Sequence, residues 1–264
     1  MQAVQEQAHP VGTAYRNGSP HIKHPQLYDR IVAEIRTVIA GQQLDGKQVS
    51  ILDVGSGSGN FVEPVLAAGC KVTSIEMSRP AIQLLQEKFG PNPNFEALFD
   101  PDGYLGPVAT KKYDVIMYAS VLHHIPDYLA AIGKAVSNHL ALGGCLVSFQ
   151  DPLWYPSVPR STRLAAKVSY YAWRVTQGSY TRGLSTLSRR LRGSLDESNF
   201  SDMAEYHVVR QGVNHHQVLA LLSVRFESVH IQSYWSTQSA LWQGLGEKFG
   251  LKSTFALTAC GFKD

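Results

Sequence analysis

Residues 51–61, ILDVGSGSGNF, set a short apolar run against three glycines, Gly55, Gly57 and Gly59. A run of this length predicts a buried strand, and glycines at alternate positions predict a tight turn leaving it. The rhythm recurs. VSILDV (49–54), KVTSIEMS (71–78), NFEALFD (94–100), YDVIMYAS (113–120) and GGCLVSFQD (143–151) all have strand character. Between them, NFVEPVLAAG, RPAIQLLQEKFG and PDYLAAIGKAVSNHL have helical spacing. A further helix is predicted from Pro25, with Leu27, Ile31, Ile35 and Ile39 on one face and a stop at Gly41. Strand alternating with helix predicts an α/β fold, a doubly wound and mostly parallel sheet with helices on both faces.

The rhythm breaks after the fifth strand. Residues 152–204 are rich in aromatic and basic side chains and are expected to form a helical insertion. HHQVLALLSVR then predicts a helix, and FESVHIQSYW and STFALTACGF predict two closing strands. The expected organisation is an N-terminal arm over 1–30, a core over 31–151 and 205–264, and the insertion at 152–204 as a substrate lid. At 264 residues with 44% apolar composition, one large core is the natural reading. A net charge of +3 does not by itself argue for a polyanionic partner. No apolar run reaches the roughly 18 residues that cross a bilayer, and the polar N-terminus lacks a signal core. A cytoplasmic protein with no membrane partner is therefore expected. Cys70, Cys145 and Cys260 are far apart and odd in number, so buried thiols are expected rather than a disulfide or a metal site.

Ligands of open α/β sheets bind at the carboxyl ends of the strands, where the glycine turn lies. A dinucleotide turn wants a glycine at the sixth place, which here is Asn60. A P-loop wants Gly-Lys-Ser/Thr, which is absent. Asp53, at the end of the first strand, would repel a pyrophosphate and suits an amine. Glu76 ends the second strand, where an acid accepts both ribose hydroxyls. Asp100 ends the third and suits an adenine amino group. Amine, ribose and adenine together describe S-adenosylmethionine.

LDVGSGSG, SIEMS, YDVIMYASVLHHIPD and LALGGCLVSFQDP, in this order over residues 49–152, resemble the motifs of class I S-adenosylmethionine-dependent methyltransferases. The resemblance implies a Rossmann-like seven-stranded sheet whose last strand is antiparallel. It implies that Asp53, Gly55, Ser56, Gly57 and Gly59 hold the methionine end of the cofactor and Glu76 the ribose. Met77 and Ser78 would flank the adenine, Asp100 would bond its amino group, and Ser120, Leu122 and His123 would line the sulfonium side. SPHIKH, FQDPLWYP and EYHVVRQGV further resemble enzymes that tailor small molecules in bacterial secondary metabolism.

Histidine suits proton transfer near neutral pH. His124 is expected to face the acceptor as general base and His123 the cofactor. The arm carries Tyr15, His21 and His24, with Tyr15 and His24 expected against the cofactor as parts of a lid. Trp154, Tyr155, Tyr170, Trp173 and Tyr180 are expected to line the acceptor pocket. Arg182, Arg189, Arg190 and Arg192 allow a rival reading as a nucleic-acid or protein methyltransferase. No target-base motif follows the fourth strand, which weighs against base methylation. A non-methylating relative of the fold is the other rival. His207, His215 and His216 lack an acid or cysteine at ligand spacing, so no metal is expected. The expected activity is methyl transfer from S-adenosylmethionine to a nitrogen or oxygen of a small-molecule acceptor.

Overall fold

The computed structural model describes residues 18–43, 46–176 and 211–263. Seven strands form one sheet: β1 (Ser50–Val54), β2 (Lys71–Glu76), β3 (Phe95–Phe99), β4 (Tyr113–Ala119), β5 (Leu140–Pro152), β6 (Phe226–Tyr234) and β7 (Thr254–Phe262). Their order is β3-β2-β1-β4-β5-β7-β6. The first five pair in parallel. β7 runs antiparallel to both of its neighbours, β5 and β6. The helices are α1 (Pro20–Lys23), α2 (Pro25–Gln42), α3 (Val62–Ala67), α4 (Arg79–Phe89), α5 (Tyr128–His139), α6 (Arg160–Thr176), α7 (His215–Ser223) and α8 (Ala240–Lys248).

The central strands carry apolar side chains on both faces, as a sheet covered on both sides requires. Ile51, Val115, Met117 and Val147 point into one cluster with Ile31, Ile35, Val65 and Leu85, which brings α2, α3 and α4 to that face. Leu52, Ile116, Tyr118 and Leu146 point into the other, with Ile132, Val136, Val218 and Leu222 of α5 and α7. Side-chain caps start three of these helices. Ser78, Asp127 and Asn214 accept from Ala81, Ala130 and Gln217 backbone N–H groups. A cap of this kind contributes about 1 kcal/mol.

The expected α/β architecture and antiparallel last strand are as found. Helix α2 begins at Pro25, as expected. Two details differ from expectation. Helix α8, between the last two strands, has no counterpart in the sequence reading. The cysteine reading is overturned: Cys145 and Cys260 stand directly opposite each other on β5 and β7, Cα atoms 4.2 Å apart, and form a disulfide. Their separation of 115 residues hides this proximity, which the antiparallel register creates. Cys70 stays a buried free thiol. Among the described residues, no helix is long and apolar enough to cross a membrane.

Candidate active site

The site is built where the sheet order turns back on itself. β1 has β2 on one side and β4 on the other, so the loops after β1 and β4 diverge and leave a crevice at their carboxyl ends. The glycine turn fills the β1 side. Gly55 and Gly59 have φ of +71° and +73°, the left-handed region that side chains resist. A Cβ on Gly55 would come within 2.7 Å of Val121, and one on Gly59 within 2.6 Å of Phe89. Gly55 and Gly59 are thus bare of side chains because the β4 loop and α4 lie directly against them.

Glu76 locks the turn from the neighbouring strand. One carboxylate oxygen accepts from Gly57 N–H at 2.9 Å, and the other from Met77 and Ser78 N–H at 2.8 and 3.0 Å. Asp100 is buried at the end of β3 and accepts from Leu105 N–H at 2.8 Å. Burial, with Asp102 beside it, raises its affinity for a proton. The Ser78 hydroxyl is engaged as the cap of α4, and Met77 reaches toward Gly103.

Asp53 is 3% exposed. Burial, reinforced by the Glu76 charge and eased by Ser56, pushes its carboxyl up to about 7. A carboxyl so poised gains from a cation brought beside it. It lines a cavity of about 10 Å³ with His21, Gly55, Ser56, Asn60, Phe61 and Ala119. That is the room of about one water. His21 stacks on Phe61, centroids 6.0 Å apart, and Phe61 stacks in turn on Tyr28, whose hydroxyl donates to Asn60 O.

Of the arm histidines, His21 is the one lining this cavity. His24, expected against the cofactor, turns away and bonds through Nε2 to Thr237 O at 2.7 Å. Lys23 donates to Gln238 O and Gln238 to Gly18 O. These bonds hold α1 over the cavity from the β6–α8 loop. Tyr15 lies outside the described residues.

The β4 side carries the histidine pair His123 and His124. The loop opens at Ser120, whose φ of 62° is left-handed, and its N–H donates to Phe149 O of β5. Gln150 is left-handed too, at 66°. Left-handed non-glycine residues cluster at functional sites because the fold must hold them there. Leu122 is fully buried in the apolar core and anchors the loop from below, rather than facing a ligand as expected. His123 N–H and Nδ1 both meet Asp151 Oδ1, at 3.1 and 2.7 Å. Asp151 is fully buried at the end of β5, and its second oxygen accepts from Ser148 Oγ at 2.7 Å. Where the carboxylate accepts from Nδ1–H, a neutral ring carries its lone pair on Nε2. His124 lies beside it, ring centroids 4.0 Å apart.

Asp151 was not foreseen from the sequence. The signal was present: an acid in FQDP, at the end of the strand next to β4. The contact depends on the β4–β5 register and the left-handed Ser120, which spacing alone does not give.

The aromatic residues expected around the acceptor are spread wider. Trp154 meets His216 of α7 edge-on. Tyr155 donates its N–H to Gln211 O. Tyr170 and Trp173 pack together on α6, which Ser169 ties to Thr237 Oγ1 at 2.9 Å. None of the four lines the Asp53 cavity. Tyr180, His207 and the arginines at 182, 189, 190 and 192 lie outside the described residues.

Comparison with known proteins agrees with this geometry. The family described as Methyltransferase domain matches residues 52–146, the span from β1 into β5. No curated protein matches the chain. Among solved structures, the N-methyltransferase NodS from Bradyrhizobium japonicum WM9, in complex with S-adenosyl-L-homocysteine, aligns with a TM-score of 0.56 at 14% identity. The alignment covers 98% of this chain and 97% of that one. The plantazolicin methyltransferase BpumL, in complex with the same compound, aligns at 0.52 and 14% identity over 98% and 96% of the two chains. Magnesium protoporphyrin IX methyltransferase from Synechocystis PCC 6803, with the same compound bound, aligns at 0.51 and 16% identity over 98% and 93%. At these identities the likeness is one of fold.

Proposed function

We propose that the protein is an S-adenosylmethionine-dependent methyltransferase acting on an oxygen or nitrogen of a small molecule, with His123 as general base, a reading supported by the methyltransferase-domain match at residues 52–146. The observation that carries the base assignment is the Asp151–His123 pair at the carboxyl edge of β4 and β5. The sequence reading favoured His124. The carboxylate that orients a base belongs to His123, whose ring His124 packs against.

The chain's residues fit the cofactor chemically. Asp53 is a buried acid suited to the ammonium, Glu76 to the ribose and Asp100 to the adenine amino group. The sulfonium supplies an electrophilic methyl, whose bond to sulfur breaks as the bond to the acceptor forms. What remains for the protein is alignment, exclusion of water and removal of the acceptor's proton. Nε2 of His123 takes that proton, and Asp151 steadies the resulting imidazolium through Nδ1–H. The backbone N–H groups on Glu76 keep the glycine turn and β2 in register for binding.

The acceptor is proposed to lie between His124 and the aromatic residues Trp154, Tyr155, Tyr170 and Trp173, with small phenols and amines as its class. NodS acts on nitrogen by its description, and the second enzyme by its name on plantazolicin. Both fit a tailoring role in secondary metabolism. The test is calorimetric titration with S-adenosylmethionine, with NAD as control, followed by methyl-transfer assays on phenols and amines. Binding of the first but not the second, with turnover that His123→Ala removes, is the expected result. Binding with no turnover on any acceptor would favour the non-methylating reading.

A further inference from the structure

His21 presents a problem in the energetics of the fold. Its side chain is 3% exposed, and its Nδ1 is buried with no hydrogen-bond partner among the described residues. A buried polar atom left unsatisfied costs stability. Stacking on Phe61 needs only an aromatic ring, which phenylalanine would supply without that cost. Burial, helped by the neighbouring His123, drives its pKa down to about 3, so the ring is neutral and keeps one N–H donor. The ring lines the same small cavity as Asp53, Gly55 and Ser56. Its short helix is pinned from Thr237 and Gln238, not from the glycine turn. The imidazole is therefore placed over the turn by one part of the chain, with its Nδ1 unpaired among the described residues.

We propose that His21 Nδ1–H is the donor that receives the α-carboxylate of the cofactor's methionine moiety. The proposal rests on the S-adenosylmethionine reading of the site and deepens it. An amino acid end presents an ammonium and a carboxylate on one carbon. Asp53 suits the first. Among the described residues the cavity holds no cationic side chain for the second, and a neutral donor avoids placing a fixed positive charge beside the sulfonium. The assignment makes His21 a selector for cofactors that keep the carboxylate.

The test compares S-adenosyl-L-homocysteine with S-(5′-adenosyl)-3-thiopropylamine, which lacks only the carboxylate, by calorimetry on the full chain. The wild type should prefer the acid. His21→Phe should weaken the acid about 10- to 100-fold, the range for a hydrogen bond to a charged group, and leave the amine within about threefold. His21→Asn, whose amide N–H can stand in place of Nδ1–H, should restore part of the preference. Ligand-free His21→Phe should melt no lower than wild type, since the orphaned atom is gone. A preference that survives in His21→Phe would overturn the proposal, as would equal losses for both ligands. Wild type that binds neither would overturn the cofactor reading itself, a result distinct from both.

Discussion

Asp151 decides which nitrogen of His123 can act. With asparagine there, the partner of Nδ1 can present an N–H, and the tautomer with its lone pair on Nε2 loses its support. Asp151→Asn is expected to lower methyl turnover by about 100-fold or more while S-adenosyl-L-homocysteine affinity stays within about threefold. Parallel loss of both would make Asp151 a structural residue. Asp53 gives a pH signature. Its folded pKa, about 7, lies above the usual 3.8 of an aspartate carboxyl. Its contribution to stability is then fully present below about pH 4 and is lost as pH rises through about 7. Melting curves of wild type and Asp53→Asn from pH 5 to 8 check this. The asparagine variant should gain on wild type as pH rises, and a constant difference would refute the shift. The acids at the strand ends were legible because strand, turn and ligand edge follow from periodicity. The Asp151–His123 contact was not, because it joins residues 28 apart across two strands.

At the scale of the element, the glycine turn is rigid by exclusion. Gly59→Ala would force a side chain to positive φ and into the Phe89 ring at 2.6 Å. A loss of about 1–3 kcal/mol is expected in urea unfolding, with weaker cofactor binding as the turn moves off Glu76. Wild-type stability would mean that α4 gives way freely. Helix α8 shows the opposite use of glycine. The sequence reading assigns no element to QSALWQGLGEKFG, which holds three glycines. In the structure Gly246 is helical, and a Cβ there would sit 2.2 Å from Trp235 Nε1. Trp235 also donates from Nε1 to Trp242 O, across the start of the same helix. The glycine makes room for the indole, so packing overrides propensity. Likewise His24 looked like a cofactor contact by its place in the arm, and only the fold reveals Thr237 beside it.

For the molecule as a whole, the disulfide ties the parallel half of the sheet to the antiparallel end. Closing a loop of 115 residues restricts the unfolded chain, a stabilisation of about 4–5 kcal/mol by loop entropy. Thiol titration in denaturant should find one reactive cysteine, Cys70, before reduction and all three after it. The reduced protein should melt several degrees lower. Three free thiols without reductant, in protein purified under oxidising conditions, would show that the bridge does not form. The sheet order itself was legible only through the family resemblance, since helix and strand periods do not say which strands become neighbours. That order also imposes a calendar on synthesis. β6 leaves the ribosome before β7, yet it joins the sheet only through β7. Until β7 arrives, β5 and β6 each present an open edge, the kind of surface through which chains stick to one another. The half bearing the glycine turn, Glu76 and the Asp151–His123 pair can assemble early. The half that pins His21 from Thr237 must wait for the last strand in chain order, so the newborn protein acquires its floor before its roof.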